Sequence, residues 1–426
     1  MNRASKLISN SFTTTKAITL YHNPKCSTSR NVLGLIRNTG MEPRVIEYLT
    51  NPPSISELQN IVSRIGIHTL LRKKEALYTS LGLDDPKITD DDLLAAVSEN
   101  PILINRPVVV TQQHIKLCRP SHTVLDILPE PQLKPYTLED GKTVGVDGRL
   151  YPSGETPIEY SQIKVVRIGR VVVVTINRES KRNAVDETTA AELLQAFENI
   201  DTDSSVDAAV LTGEGGTFCS GYDLKYLSSP EGHGGVPRSE SRAKPFERSG
   251  PMGPTRMQLS KPVIAAVEGH AVAGGLELAL WCDIRISSAS SVFGVFCRRW
   301  GVPLVDGGTV RLPRLIGHSR AMDMVLTGRA VGSEEALHIG LVNRVVPQGQ
   351  ALAAALEYAQ DLSRYPQLCL RKDRDALLRQ WGMSADDALS MEASEGETPV
   401  VIEEAVKGAG VFARGKGRGG DAEDIQ

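Results

Sequence analysis

Two α/β modules in tandem are what the sequence predicts, on three observations. The chain has 426 residues, and single cores stop growing at roughly 250–300 residues, so two or three domains are expected. From Ala17 onward, strand-like and helix-like stretches alternate over about 130 residues, as in a small α/β domain. A Pro-, Gly- and polar-rich stretch between Pro129 and Gln162 then interrupts the pattern, and a second α/β series opens at the buried-strand run Val171 to Ile176.

In the first series, Ile18 to Tyr21 is a short apolar strand, followed by a polar turn. Ser29 to Asn38 then has helical spacing that stops at Gly40. Val45 to Tyr48 reads as a second strand, closed by Asn51-Pro52-Pro53. Ser54 with Glu57 three residues on is a capping-box signature for a helix over Ser54 to Ile65. Leu93 to Ser98 is helical, and another strand begins at Pro107 to Val110. The second series differs in its Gly-rich punctuation and in a lengthy helical end from Gln350 to Arg364 and beyond.

Composition narrows the function classes. Charged residues at 23% and apolar residues at 41% are near the globular average, which argues against a mostly disordered chain. A formal net charge of -3 gives no reason to expect nucleic acid or anionic membrane as the main partner. No uninterrupted apolar run reaches the roughly 18 to 20 residues of a spanning helix. The strongest candidate, Pro262 to Cys282, is broken by Glu268, His270 and Glu277. The six cysteines, Cys26, Cys118, Cys219, Cys282, Cys297 and Cys369, lie far apart. Their spacing suits neither a metal site nor a disulfide framework, and a reducing compartment is the better reading. Residues 1–16 carry Arg3, Lys6 and Lys16, several hydroxyl residues and no acid, as mitochondrial transit segments do. The expected location is cytoplasmic, with mitochondrial as the alternative.

In the first module, Tyr21-His-Asn-Pro-Lys-Cys-Ser-Thr-Ser-Arg30 places Cys26 between a strand and a helix start. Backbone N–H groups there point outward, lower the pKa of a thiol and can cradle an oxyanion. Lys25 and Arg30 add positive charge. On this segment alone, a reactive thiolate and a buried small hydrophobe are equal readings.

From about Ile18 to Leu150 the chain closely resembles the glutaredoxin-coupled arsenate reductases. The carrying motifs are YHNPKCSTSRN, EYLTNPP, LLRKKE, PILINRPVVV, LCRPSHTVLDIL and YTLEDG. The resemblance implies a thioredoxin-like fold with Cys26 as nucleophile and Arg72, Arg106 and Arg119 binding the oxyanion. It places His22 beside the thiol, and Pro107 at the cis-proline of thioredoxin-like folds. Guanidinium forks suit a tetrahedral oxyanion such as arsenate. The implied chemistry is attack by Cys26 on arsenate, capture of the adduct by glutathione as co-substrate, and reduction through glutaredoxin as partner. Cys118 reads as a core residue rather than an internal resolving thiol. A different reading within the family is an Spx-like regulatory module that binds RNA polymerase.

From about Ile163 the chain resembles the crotonase superfamily of enoyl-CoA hydratases and isomerases. The motifs are VVVVTINRESKRNAVD, GTFCSGYDLKYL, KPVIAAVEGHAVAGGLELALWCDIRI, VFGVFCRRWGVPLVDGGTVRLPRLIG and LTGRAVGSEEALHIGLVNRVV. The resemblance implies a ββα spiral with a C-terminal helical region, assembled as a trimer or hexamer. It also implies an oxyanion hole for an acyl-CoA thioester, CoA being part of the substrate. By motif, the hole is built from the N–H groups of Tyr222 and Gly274. Two such donors supply several kcal/mol at a developing oxyanion.

Glu277, one turn into the helix that Ala273-Gly274-Gly275 starts, matches the first of the two hydratase glutamates, and the second position holds Cys297. Asp306, in DGGT, is the replacement acid by resemblance to the dienoyl-CoA isomerases, its alternative being a cap on a helix starting near Gly307. Lys181, Arg182 and Lys225 are candidates for CoA phosphates. Ser228 to Pro254 reads as a long loop beside the acyl pocket.

The expected organisation is therefore an N-terminal extension (1–16), an arsenate reductase-like domain (17–150), a linker (151–162) and a crotonase-like domain (163–426). No resident cofactor or metal is expected. The alternative to two enzymes is one catalytic module, with the crotonase part acting as an oligomeric scaffold.

Overall fold

The computed structural model describes residues 17–232 and 249–415, so the N-terminal extension and most of the loop expected over Ser228 to Pro254 lie outside the described residues. Two compact units emerge: Met1–Ile158 with Val166–Gly169, and Glu159–Val165 with Arg170–Gln426.

The first unit is built on a four-stranded sheet of β1 (Thr19–His22), β2 (Arg44–Glu47), β3 (Val108–Val110) and β4 (Ile115–Leu117), in the order β2-β1-β3-β4. β1 runs parallel to β2 and antiparallel to β3. Side chains alternate across a strand, so neighbours in sequence enter different cores. Tyr21 and Val108 pack with Leu58, Ile61 and Leu93 on one face, while Leu20 and Val109 pack with Val32, Leu35 and Cys118 on the other. With Leu20 in one core and Tyr21 in the other, β1 is covered on both faces.

The helix Ser27–Arg37 buries Val32, Leu35 and Ile36 and begins directly at Cys26. The helix Ile55–Ile65 opens with the expected capping box: Glu57 N–H donates to Ser54 Oγ at 3.3 Å, and Ser54 N–H donates to Glu57 Oε2 at 2.8 Å. A second box, Thr89 with Asp92, opens Asp90–Glu99 one turn before the helix expected from Leu93. A small meander closes the unit, made of β5 (Tyr136–Thr137), β6 (Thr143–Val144) and β7 (Leu150–Tyr151). It bears on the cysteine helix: a Cβ built on Gly34 would lie 1.8 Å from the Tyr136 hydroxyl oxygen.

The second unit has a six-stranded sheet of β8 (Ile163–Ile168), β9 (Val171–Ile176), β10 (Ala208–Gly213), β11 (Val263–Val267), β13 (Ile284–Ser288) and β16 (Arg344–Val346), ordered β16-β13-β11-β10-β9-β8. The pairs from β9 to β16 are parallel. A second sheet holds β12 (His270–Val272), β14 (Val292–Gly294) and β15 (Val331–Gly332). The chain therefore steps from β11 to β12 and into the helix Gly274–Trp281, then from β13 to β14 and on toward the helix Gly308–Ile316. This is the ββα progression of the crotonase spiral. Parallel strands buried on both faces explain the uninterrupted runs at Val171 to Val174 and Val263 to Val267. Ala351, Ala355 and Ala359 form the buried stripe of Ala351–Leu362, the first of four C-terminal helices that continue with Gln367–Arg379, Ala385–Gly396 and Pro399–Ala413.

Among the described residues, no helix is long and apolar enough to cross a membrane.

Gly34→Val is expected to destabilise the first unit by about 1–3 kcal/mol through overpacking against Tyr136. Hydrogen exchange of the Ser27–Arg37 amides measures this. Adding Tyr136→Ala should recover part of the loss, and unchanged protection in Gly34→Val would contradict the packing.

Candidate active sites

Cys26 is the N-cap of the helix Ser27–Arg37 and is half-buried. Asn23 shapes the turn that delivers it: Cys26 N–H donates to the Asn23 carbonyl at 3.0 Å, and Lys25 N–H donates to Asn23 Oδ1 at 2.9 Å. Burial pushes the thiol pKa up, but the Ser29 N–H, the Arg106 charge, and the hydroxyl and N–H of Thr28 together outweigh it, and the net direction is down. Cys26 is thus the thiol whose ionisation the fold favours, for the reason that helix starts favour anions.

The three arginines contribute unequally. Arg106 is buried, and its Nε and Nη1 have no hydrogen-bond partner among the described residues. Buried guanidinium donors are ordinarily satisfied, so two open donors beside a thiolate-forming cysteine describe a seat for an anion. Arg119 donates through Nη1 to the Arg106 carbonyl at 3.0 Å and is otherwise exposed. Arg72 is ion-paired with Glu75, and its charge, like that of Arg106, acts on the Tyr48 hydroxyl.

The Arg106-Pro107 peptide is cis, as expected for that proline, and so is Arg119-Pro120. His22 is buried, and burial lowers its pKa, so it is predominantly neutral. Its ring meets the backbone of Ser29, the residue whose N–H serves the thiol. Arg30 makes a two-pronged ion pair with Glu139, at 2.7 and 2.8 Å, so its charge is largely spoken for. Cys118 is fully buried in the core, where burial raises its pKa to about 12, too high for a resolving thiol.

Tyr48 and Asn23 were not singled out from sequence. The Tyr48 hydroxyl, buried and hydrogen-bonded to the Asn23 side chain, feels the charges of Arg106, Arg72 and Cys26 together. Its only sequence signal is its place inside the EYLTNPP motif.

In the second unit, a cavity of about 390 Å³ is lined by Tyr222, Met252, Gly274, Glu277, Cys297 and Asp306, among others. Ala273 takes the unusual backbone angles φ 54 and ψ -127 and starts the helix Gly274–Trp281. A non-glycine residue at positive φ costs on the order of 1–3 kcal/mol and persists where the surroundings impose it. Here β12 precedes it and Gly221 presses against it: a Cβ on Gly221, itself at φ 100, would stand 2.8 Å from the Ala273 Cβ and 3.0 Å from the Gly274 nitrogen. The chain leading into Tyr222 and the start of the helix are therefore in direct contact. Tyr222 is held by flanking bonds, Val185 N–H to the Gly221 carbonyl at 2.9 Å and Asp223 N–H to the Val185 carbonyl at 2.8 Å. Neither the Tyr222 N–H nor the Gly274 N–H donates to another group among the described residues.

Glu277 is 2% exposed. Its Oε1 accepts from Asp306 N–H at 2.9 Å and from Gly308 N–H at 2.8 Å. Burial and the Asp306 carboxylate raise its pKa to about 7 against the opposing pull of those N–H groups and of Arg311. Asp306 does not cap the helix that follows, contrary to the alternative considered above. Gly307 is the N-cap and makes no side-chain cap. The Asp306 Oδ1 instead accepts from Met252 N–H at 3.1 Å and from the Thr255 hydroxyl, and burial raises its pKa. Cys297 is buried near Glu277; burial and the Glu277 charge both raise its thiol pKa. Of the candidate phosphate-binding cations, Arg182 lines the cavity, whereas Lys181 and Lys225 do not.

Fold and sites together define a thioredoxin-like module with a thiol at a helix start, joined to a crotonase-type module whose cavity is lined by two backbone N–H groups without an acceptor among the described residues. Comparison with known proteins agrees, since residues 167–413 match the model of the enoyl-CoA hydratase/isomerase family and residues 21–127 that of the ArsC family. Over 256 residues the chain is 34% identical to the enoyl-CoA hydratase EchA19 of Mycobacterium tuberculosis, covering 58% of this chain and 92% of that protein. Over 129 residues it is 54% identical to an arsenate reductase of Acidiphilium multivorum, covering 30% of this chain and 92% of that protein. The crystal structure of the enoyl-CoA hydratase EchA1 from Mycobacterium marinum superposes with a TM-score of 0.53 at 32% identity, over 60% of this chain and 96% of that one. The chain belongs to the enoyl-CoA hydratase/isomerase family and carries an ArsC-family module at its N-terminal end.

Removing Arg106 should raise the Cys26 pKa, because its charge favours the thiolate. Arg106→Ala is expected to slow iodoacetamide labelling of Cys26 at neutral pH several-fold and to move the labelling profile toward that of an ordinary thiol. Peptide mapping, which separates Cys26 from exposed Cys369, reads the effect; an unmoved profile would show that Arg106 does not act on the thiol.

Proposed function

We propose that the chain carries two activities, reduction of arsenate to arsenite at Cys26 and proton transfer on an enoyl-CoA thioester at Glu277. For the first, the carrying observation is the pair of open Arg106 donors beside the thiol. The Cys26 thiolate displaces an oxygen of arsenate and forms a sulfur–arsenic bond. Glutathione captures that adduct, and two thiol electrons, delivered through glutathione and glutaredoxin, take arsenic from the +5 to the +3 state. The helix start and the arginines hold negative charge throughout, so their contribution is electrostatic. Cys26→Ser is expected to reduce arsenate-dependent NADPH consumption, in an assay with glutathione, glutaredoxin and glutathione reductase, to the level without protein. Retained consumption would refute the assignment.

For the second activity, the carrying observation is one carboxylate, Glu277, with a pKa of about 7 in the same cavity as two free backbone N–H groups. The thioester oxygen seated on Tyr222 and Gly274 N–H accepts the charge of an enolate, and Glu277 carries the proton between carbons. A single acid–base group near its own pKa is efficient in both directions. Hydration requires a second acid to hold the water, and that place is taken by the neutral thiol of Cys297. This favours double-bond migration, with Asp306, tied at Oδ1, as the neighbouring acid. The assembly we expect is a trimer or hexamer, and the location cytoplasmic.

Since Glu277 must be ionised to take a proton, kcat/KM for a short 2-enoyl-CoA should rise with pH through about 7 and level off above it. Glu277→Gln should lower the rate by roughly a hundredfold or more and abolish that limb. A pH limb that survives the substitution would assign the titration to another group.

A further inference from the structure

The acyl cavity contains a nucleophile that the proposed reaction does not use. Cys297 opens onto the cavity from the short 3-10 helix Phe296–Trp300, together with Glu277. It lines the cavity beside Tyr222, Gly274 and Glu277, the residues proposed to seat and act on the acyl thioester. The Glu277 charge acts on its thiol, and the N–H groups of Cys297 and Arg298 face its sulfur, where they favour the anion once the proton has left. Glu277 commits Oε1 to two backbone donors, while its Oε2 has no hydrogen-bond partner among the described residues. The cavity is thus lined by a thiol, by a carboxylate with one oxygen unbonded among the described residues, and by two backbone N–H groups without an acceptor there. A 2-enoyl thioester seated on those N–H groups is polarised so that C3 becomes electron-poor, and soft thiolates add to such centres readily.

We propose that Cys297 is a reversible covalent capture site for 2-enoyl thioesters, with sulfur adding to C3. This inference rests on the acyl-CoA reading of the second module. In the addition, the Glu277 carboxylate takes the thiol proton and sulfur forms the bond to C3. The π pair of the C2–C3 bond moves toward the thioester oxygen as an enolate, and Glu277 returns the proton to C2. The thiol and the alkene are both consumed in one thioether, no oxidant or reductant takes part, and removal of the C2 proton reverses the step. Saturated acyl thioesters have no acceptor carbon and escape capture, so the site discriminates unsaturated from saturated substrates by chemistry rather than by shape.

Intact-protein mass spectrometry of the full chain with crotonyl-CoA in thiol-free buffer tests this. The expected result is a single added crotonyl-CoA per chain, mapped to the peptide that contains Cys297. Butyryl-CoA should leave the mass unchanged, a comparison that needs no variant. Cys297→Ser and Cys297→Ala should abolish the adduct, and Glu277→Gln should slow its formation by roughly a hundredfold. An adduct that survives Cys297→Ser, or that maps to Cys26 or Cys369, overturns the proposal. A chain that turns over 2-enoyl-CoA and never carries the adduct overturns capture but leaves the acyl-CoA reading standing. A chain that does neither overturns both.

Discussion

The first turn of an α-helix leaves backbone N–H groups with no partner inside the helix, and both modules are organised around that deficit. In the first, Cys26 occupies the N-cap, so that the N–H groups of Thr28 and Ser29 face its sulfur. In the second, the helix begun by the unusual backbone of Ala273 leaves the Gly274 N–H, at the cavity wall, without an acceptor among the described residues. A third helix start, at Gly308, supplies one of the two N–H groups that hold Glu277 Oε1. None of these donors is a side chain. Their positions depend on β1 ending at His22 and on the turn from β12 into its helix. The geometry of both candidate sites is therefore inseparable from correct strand register.

The same arrangements set the two sites against each other in their response to pH. The Glu277 pKa in the folded chain, about 7, lies above its ordinary value of 4.5. Its favourable contribution to folding is therefore complete below about pH 4.5 and is lost as pH rises through about 7. Cys26 behaves oppositely, because its folded-state pKa is depressed. Its contribution is present above the ordinary thiol range and is lost as pH falls through the depressed value. For Cys26 the surroundings favour the ionised form, whereas for Glu277 they favour the protonated one, so its carboxylate is ionised only as pH rises through about 7.

Much of this was legible in the sequence, and the reasons differ by residue. The strand–turn–helix around Cys26 follows from local pattern, and the capping box at Ser54 follows from two residues three apart. The continuous runs in β9 and β11 mark strands buried on both faces. The arginine set was legible only through ordered motifs, because Arg72, Arg106 and Arg119 are far apart in sequence and each alone resembles a surface charge. The structure further separates Arg106, with open donors, from Arg72, which is paired with Glu75. Tyr48 escaped notice because nothing local marks a buried hydroxyl. For Asp306, the local signal of a helix cap competed with a long-range one, and the bond to Met252 and Thr255, some fifty residues upstream, prevailed. No sequence rule joins positions so far apart before the fold is known.

The distribution of cysteines has a toxicological side. A trivalent arsenical is a soft Lewis acid that clings when two or three thiolates can surround it, and soft ligands of this kind are what it takes from ordinary proteins. In this chain Cys118, Cys219 and Cys282 are sealed in hydrophobic cores, where burial raises every one of their pKa values. Cys297 is a protonated thiol within its own cavity, and Cys369, though exposed, has Asp373 and Glu404 to hold it protonated. Were Cys26 to carry the proposed reduction, the chain would offer the arsenite no second ready thiolate of its own, and the burial that stabilises each core would also shield those thiols from it.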